Sequence, residues 1–441
     1  MMKPKVAIVG AGISGLVCAY ELQKAGWDVE VFESNDYVGG RMATRWKKGF
    51  AFDIGADFFV RLYQKTRRYC EDLGIAFEPM LPGSYQTFKG GLLYPLRLDS
   101  LSSLLRYKQV SFMGRVRLLW FFLRARRMAH DMDFFDLSGI PGCLDEDDAY
   151  SIAVACMGKD VADYLVDGFT STYQFHRASE ISVGAMLALT ALMSQDPDGF
   201  ARYHSVGEMA AIPNALARHL MVHAGARVDA VMPSNGVVDI VVKGRSLRFD
   251  AVVIATTADV ASRIIKSRSF SKFLAQVRYA PTVSLAFRVS HNALAGLASV
   301  TVPYVESSII ASYSNGAIKG QVVDRGAIVS VWLHESYVVK ASRLSDKVLY
   351  AVVEEELRRV CPGLLDEKIV PHDLQRWAAA MPKFYAGYLT KVKEFLDRYQ
   401  GEQNMYLCGD YLNSPWIEGS IRCGERVARQ VASAVKKGGA Q

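Results

Sequence analysis

The chain has 441 residues, of which 50% are hydrophobic and 22% charged. This composition is typical of a globular enzyme and excludes a disordered or fibrous chain, and the length indicates two domains. The net charge of +7 comes from Lys and Arg scattered along the chain without an aromatic-and-basic recognition motif, so we expect no nucleic-acid partner.

Seven cysteines form no C-x-x-C pair and no Cys/His group at metal-ligand spacing, so we expect reduced core thiols and no metal site. The N-terminus lacks the apolar stretch of a secretory signal, which predicts a cytoplasmic protein. The longest uncharged run, residues 181–195, is shorter than the roughly 20 apolar residues that a membrane-spanning helix needs. We therefore expect no membrane span.

The first predicted elements are a strand at Val6 to Val9, a helix at Leu16 to Lys24 that Gly26 ends, and a strand at Val29 to Phe32. This strand-helix-strand order has the length of a parallel crossover. The chain therefore begins as an α/β fold.

The middle of the chain, residues 61–204, reads as mainly helical, with a break at residues 138–148 that is rich in Gly, Pro and acidic residues. This pattern indicates an inserted domain. Apolar, β-branched runs then predict strands at residues 251–255, 283–289, 328–333 and 406–407, and a terminal helix covers residues 419–435.

A glycine motif, Gly10-Ala11-Gly12-Ile13-Ser14-Gly15, lies where the first strand turns into the first helix. The first glycine permits the tight turn, the second allows the backbone to approach a pyrophosphate, and the third permits close packing of helix and strand. Glu33, at the end of the second strand, is placed to accept ribose hydroxyls. The motif predicts a dinucleotide site with Gly10, Gly12, Ser14, Gly15 and Glu33 as contacts; the alternative is a turn that binds nothing.

Two further N-terminal segments, Gly39-Gly40-Arg41-Met42 and Asp53-Ile54-Gly55-Ala56-Asp57, do not belong to a simple NAD fingerprint. With Tyr406 to Asp410 and Trp416 to Ala428 near the C-terminus, they resemble the FAD-dependent amine oxidase, protoporphyrinogen oxidase and phytoene desaturase superfamily. The likeness follows the whole chain in order and is densest at its two ends.

The resemblance implies bound FAD and assigns contacts to it. Arg41, after Gly40, would meet the phosphates, and the segment with Ala56 and Asp57 would pass near the isoalloxazine. Asp410, after Gly409, would lie at the pyrophosphate and ribityl chain. The backbone of Val228 would hold the adenine, and the N–H of Ile417, at a helix start, would face the flavin pyrimidine, where a positive helix end stabilises the reduced ring.

Other segments separate the subfamilies. Residues 279–287 lack the lysine that many amine oxidases carry there, so this segment and residues 377–387 resemble protoporphyrinogen oxidase more closely. No cysteine lies between Trp377 and Gln403, where some monoamine oxidases attach the flavin, so we expect non-covalent FAD. Trp416 and Tyr385 are candidate walls of an aromatic substrate cage; the alternative is that both are core residues.

Within residues 104–128 the apolar run Leu118 to Leu123 is combined with Arg115, Arg117, Arg124, Arg126 and Arg127. The segment predicts peripheral contact with an anionic membrane, or else a substrate-domain helix with solvated arginines. Nothing in the sequence indicates the oligomeric state.

From the resemblance we expect a discontinuous, Rossmann-type FAD-binding domain of the GR2-like kind at residues 1–85, 205–265 and 395–441. An inserted α+β substrate-binding domain is expected at residues 86–204 and 266–394.

The predicted reaction is hydride transfer from a C–N or C–C bond of a small, largely apolar substrate to flavin N5, with oxygen or another acceptor reoxidising the flavin. No side-chain general base is expected. The alternatives are a non-redox isomerase or mutase that works on externally reduced flavin, and a flavin-bearing scaffold or sensor without turnover.

Overall fold

A computed structural model describes residues 3–96, 105–128, 131–196 and 198–438, with the side chains of residues 194–195 and 435–438 excepted. The strands are β1 Lys5–Val9, β2 Asp28–Phe32, β3 Thr44–Lys47, β4 Phe50–Asp53, β5 Phe59–Val60, β6 Phe77–Pro79, β7 Ser84–Lys89, β8 Leu92–Pro95, β9 Arg202–Ser205, β10 Met221–His223, β11 Val228–Ser234, β12 Val237–Val242, β13 Arg245–Phe249, β14 Ala251–Ile254, β15 Tyr279–Ser290, β16 Leu297–Thr301, β17 Ile310–Asn315, β18 Gly326–Leu333, β19 Val370–Pro382 and β20 Met405–Leu407.

The helices of the described chain include a stretch, residues 159–174, in which a π-helical segment, Ala162–Asp167, joins two α-helical pieces. The α-helices are α1 Ile13–Lys24, α2 Gln64–Asp72, α3 Phe112–Met128, α4 Ala149–Met157, α5 Lys159–Val161, α6 Gly168–Gln174, α7 Val183–Gln195, α8 Ala211–Arg218, α9 Ala258–Ile264, α10 Arg268–Leu274, α11 Glu335–Ala341, α12 Asp346–Val360, α13 Tyr388–Arg398 and α14 Trp416–Gly438.

A parallel sheet in the order β10-β2-β1-β14-β20 confirms the predicted α/β fold. Strand β14 and residues 6–9 of β1 are apolar because both of their faces are covered, as the buried pair Ile8 and Val253 shows. Helices α1 and α14 cross so closely that a Cβ at Gly424 would lie 2.5 Å from the Ser14 carbonyl oxygen. The two ends of the chain thus pack directly together.

A second sheet has seven strands in the order β19-β15-β18-β17-β16-β7-β8. One face carries large apolar residues, among them Leu285 and Val331, which pack with Leu349 and Val353 of α12. Because strand side chains alternate between faces, the residues between them point the other way. That opposite face carries the hydroxyl side chains of Ser284, Ser312 and Ser314 beside the Trp332 indole.

The prediction of a mainly helical segment at residues 61–204 was wrong in part, because β6 to β9 lie within it. Strands β7 and β8 form a hairpin across Gly90-Gly91, whose φ values of 55° and 81° suit the two-residue turn that joins antiparallel strands. The predicted domain boundary at residue 85 falls inside β7, and the one at residue 395 falls inside α13.

All seven cysteines are free, and five are buried, as expected for reduced core thiols. Cys143 and Cys156 are exposed, which corrects the prediction for these two. None of the helices within the described ranges combines the length and hydropathy that crossing a bilayer requires.

Candidate functional site

A cavity of about 720 Å³ lies at the carboxyl ends of the parallel strands and reaches the hydroxyl-bearing face of the second sheet. The edge where parallel strands end is the usual ligand site of such folds. Most of the residues predicted to contact cofactor or substrate line this cavity: Gly10, Gly12, Ser14, Glu33, Gly40, Arg41, Ala56, Asp57, Val228, Gly409, Asp410, Trp416 and Ile417. Gly15 and Tyr385 are not among the lining residues.

The start of α1 forms one end of the cavity. The helix's first main-chain hydrogen bond runs from Leu16 N to Gly12 O (3.0 Å), so the N–H groups before Leu16 have no partner within the helix. A Cβ at Gly12 would meet no protein atom within 4 Å, whereas one at Gly15 would lie 2.2 Å from Gly10 O. Gly12 thus leaves open the space that a phosphate requires, and Gly15 packs the turn.

Glu33 is buried at the end of β2. Its carboxylate accepts hydrogen bonds from Ala11 N (2.8 Å), Asn35 N (2.9 Å) and Asn35 Nδ2 (2.8 Å). These contacts fix the carboxylate beside the glycine turn, where it lines the cavity.

Arg41 and Asp410 form a bidentate ion pair that joins the N-terminal and C-terminal motifs. Arg41 Nη1 and Nη2 donate to the two Asp410 oxygens at 2.6 and 3.0 Å, and Nη1 also donates to Ala380 O (2.8 Å). Burial alone would lower the pKa of Arg41, but the Asp410 carboxylate outweighs it and raises the pKa. The guanidinium therefore stays charged at the centre of the cavity wall.

Lys319, in the 3₁₀ turn Gly316–Lys319 that follows β17, is a site residue that the sequence did not reveal. Its buried Nζ donates to Asp53 (2.8 Å) and to Asp57, which lines the cavity. Burial favours a lower pKa for Lys319, but the two carboxylates outweigh it and raise the pKa. Asp53 also accepts from Thr44 Oγ1 (2.6 Å), so this cluster ties three separate segments to one wall of the cavity.

Trp416 begins α14 with φ of 82°, which is rare for a bulky residue and costs about 1–3 kcal/mol unless the surroundings enforce it. Its Nε1 donates to Tyr173 O (3.3 Å), and the ring packs against Phe134, 5.0 Å between centroids. Tyr63 and Phe169 lie near the same ring. The structure therefore holds this indole on the cavity wall despite backbone strain.

Tyr385 lies away from this group. Its hydroxyl donates to Gln276 O (2.8 Å), and the Arg278 and Lys391 side chains cover its ring. The structure does not bring Tyr385 to the cavity, where Phe169 and Tyr173 face Trp416 instead.

These features define the class of protein: a Rossmann-like α/β fold with a large cavity at the carboxyl ends of its parallel strands and a second, mixed sheet beside it. The chain belongs to the family of flavin-containing amine oxidoreductases, whose model matches residues 13–432. It is therefore an enzyme of this flavin-containing family, and the family implies FAD as its cofactor.

Curated relatives match over short segments. Protoporphyrinogen oxidase 2 of Arabidopsis thaliana is 36% identical over 78 residues, which are 18% of this chain and 15% of that protein. A 1-hydroxycarotenoid 3,4-desaturase of Flavobacterium sp. is 46% identical over 75 residues, 17% of this chain and 15% of the desaturase. The matched segments are thus a small part of each relative's length.

Solved structures match over nearly the whole chain and show the same fold. Cyclohexylamine oxidase from Brevibacterium oxydans has a TM-score of 0.77 at 17% identity, with 99% of this chain and 100% of that chain covered. A fatty acid isomerase from P. acnes has a TM-score of 0.74 at 15% identity, with 97% and 98% covered.

Proposed function

We propose that this protein binds FAD non-covalently and oxidises a C–N or C–C bond of a small organic substrate, with oxygen or another acceptor taking the electrons. The observation that carries the proposal is one continuous cavity that joins the glycine turn of α1, the Arg41–Asp410 pair and the Trp416 wall to the second sheet. When bound, the flavin would supply the hydride acceptor.

The chain's own residues would hold and orient the cofactor along this cavity. The start of α1 would meet the pyrophosphate, Glu33 the ribose, and the Val228 backbone the adenine. Gly40, Arg41, Gly409 and Asp410 would line the middle, and Ala56, Asp57 and Ile417 the flavin end. The aromatic group around Trp416 would exclude water from the reacting atoms.

We propose the two-domain division with its first boundary before β7 and its last before α13. The parallel sheet and α14 would then form the FAD-binding domain. The second sheet, with the helices between β8 and β9, would form the substrate-binding domain.

The proposed cofactor chemistry is tested on purified protein. Among the described residues that line the cavity there is no cysteine, so acid precipitation is expected to release FAD into the supernatant. Anaerobic addition of amines and of compounds with saturated C–C bonds, with flavin absorption as the measurement, would then identify substrates.

Product formed only after an external donor reduces the flavin, with no net consumption of acceptor, would favour the isomerase or mutase alternative. A bound flavin that no substrate or donor brings to turnover would favour a scaffold or sensor.

Trp416→Ala is expected to keep FAD bound and to slow anaerobic flavin reduction by a substrate, because one wall that orients the substrate is lost. The neighbouring Ile417 N–H belongs to the backbone, so this contact should persist. Stopped-flow absorption measures the reduction rate, and Trp46→Ala, at an exposed indole, is the matched control. A stable, FAD-loaded Trp416→Ala protein with an unchanged rate would remove Trp416 from the site.

We also propose that α3 contacts an anionic membrane surface. Phe112 and Trp120 are about 70% exposed (70% and 71%) on one side of this helix, whereas Leu118 and Ala125 on its other side are buried. Exposed arginines flank the apolar stripe on the described part of residues 104–128; Leu104 itself lies outside the described residues. A mainly apolar cavity of about 90 Å³ beneath α3 is lined by Leu118 and by Phe169, which also lines the main cavity.

The double variant Phe112→Ser/Trp120→Ser is expected to bind vesicles of phosphatidylcholine and phosphatidylglycerol at least about tenfold more weakly, since each large apolar side chain contributes about 1.5–3 kcal/mol when buried. Co-sedimentation measures the binding. Val339→Ser removes an equally exposed apolar residue from α11 and should have no effect. Equal binding by the wild type and the double variant would contradict the proposal.

A further inference from the structure

Arg202, the first residue of β9, presents its guanidinium to the substrate end of the cavity. Its Cζ lies 4.3 Å from the ring centroid of Phe58 and 4.2 Å from that of Tyr85, so aromatic faces hold the guanidinium. Nη2 donates to the Tyr173 hydroxyl (2.6 Å), and Nη1 donates to Ser299 Oγ (3.1 Å). The side chain is therefore fixed before any ligand arrives.

Arg202 differs from the other arginines of the cavity in lacking an ion-pair partner among the described residues. Each of the other arginines lining the cavity lies within 4 Å of a carboxylate, in the pairs Arg41–Asp410, Arg227–Asp229 and Arg263–Asp259. Asp57 shares the Lys319 ammonium with Asp53, and neither carboxylate forms an ion pair with Arg202. Within the described ranges Arg202 makes no ion pair, so the substrate end carries one cation that only neutral groups contact. Arg202 is partly buried, and a partly desolvated charge without a nearby opposite charge is stabilised when a ligand anion pairs with it.

Hydroxyl groups continue this polar patch across the second sheet. Ser284, Ser312 and Ser314 lie on one face of β15 and β17 and line the cavity. Ser284 is 1% exposed, and its Oγ has no hydrogen-bond partner among the described residues. A buried hydroxyl without a partner is uncommon, and its position on the cavity wall suits a polar ligand atom.

We propose that Arg202 binds a carboxylate of the substrate, which makes the substrate class an organic acid with an apolar body. A guanidinium has five N–H donors, and the two protein contacts leave three for a ligand, enough for a carboxylate. A single guanidinium without an ion-pair partner suits a singly charged group. Tyr173 connects this anchor to the proposed reaction site, because its hydroxyl accepts from Arg202 and its carbonyl accepts from Trp416. The reaction of the bound acid rests on the proposed function, whereas its binding rests on the contacts of Arg202.

The test compares acids with their neutral amides in pairs: phenylacetate with phenylacetamide, hexanoate with hexanamide, and decanoate with decanamide. Binding is followed by the shift in flavin absorption and, independently of the flavin, by the rise in Tm. We expect at least one acid to bind about tenfold to a hundredfold more tightly than its amide. Arg202→Gln should abolish that preference, and Arg202→Lys should retain part of it, because lysine keeps the charge but not the planar fork.

Arg61→Gln is the matched control. Arg61 follows Val60, which pairs with Arg202 in the sheet. The Arg61 side chain, however, is directed to Asp196 and Asp198 at the surface. The Arg61→Gln variant should therefore keep the wild-type preference for the acid. The carboxylate proposal is overturned if no acid binds more tightly than its amide, or if Arg202→Gln and Arg202→Lys both keep the full preference. A protein that cannot be loaded with FAD, yet shows the preference by Tm, would overturn the proposed function and leave the carboxylate site standing.

Discussion

Lys319→Met is expected to lower the free energy of unfolding by about 3–5 kcal/mol, because it leaves two buried carboxylates without their cation. Asp53 and Asp57 both bind this one ammonium, and the side chains of all three residues are largely buried. Urea unfolding of wild type and variant would measure the difference, provided that the free energy of unfolding falls with urea concentration at the same slope in both. FAD affinity should fall as well, since Asp57 forms part of the cavity wall.

The control for this prediction is an exposed lysine that also faces a carboxylate. Lys393 lies 3.5 Å from Asp397 on α13, with both side chains more than half exposed (60% and 62%). Lys393→Met should change the free energy of unfolding by less than about 1 kcal/mol. If Lys319→Met costs no more than this control, the buried cluster does not stabilise the cavity wall.

Gly12→Ala is expected to leave the apoprotein folded and to weaken FAD binding by about tenfold to a hundredfold. The backbone at Gly12 has φ of −70°, which alanine accepts, and the new Cβ would meet no protein atom within 4 Å. It would enter the space that the pyrophosphate is proposed to occupy, and such overpacking costs about 1–3 kcal/mol. Titration of the apoprotein with FAD, followed by flavin fluorescence, measures the affinity.

Gly15→Ala is the informative comparison. Its Cβ would lie 2.2 Å from Gly10 O and 2.9 Å from the Ala255 side chain, so the turn itself would have to move. We expect the Gly15 variant to lose stability even without cofactor, whereas the Gly12 variant should lose affinity alone. An unchanged FAD affinity in Gly12→Ala would place the cofactor away from α1.

The fold could be predicted from the sequence where local patterns determine it. The glycine turn between β1 and α1 needs only neighbouring residues to form, and the apolar run at Val6 to Val9 reports a strand covered on both faces. The family resemblance extended this to the C-terminal motif, which the structure packs onto α1. The Gly90-Gly91 hairpin also has a local signal, the glycine pair, within the segment that the sequence pattern predicts to be mainly helical.

Much of the site had no local signal. Lys319 lies 262 residues from Asp57, and Arg202 lies 97 residues from Ser299, so each contact depends on how the sheets are arranged. Tyr385 shows the converse. It was chosen by its place in a motif, but the cation–π contacts of Arg278 and Lys391 and the Gln276 carbonyl fix it outside the cavity lining.

The strand order of the parallel sheet also constrains the timing of folding during synthesis. Strand β14 pairs on one side with β1 from the start of the chain and on the other with β20, which is made about 150 residues after β14 (residues 254 and 405). A domain that folds on the ribosome forms from its N-terminal part first. Until β20 and α14 emerge, β14 has a free hydrogen-bonding edge and α1 lacks the helix that packs on it, so the nascent chain carries an aggregation-prone intermediate. Because Asp410 lines the cavity, the proposed cofactor site would be completed only late in synthesis, and we expect growth conditions that deplete flavin to reduce the yield of folded protein more than the rate of its translation.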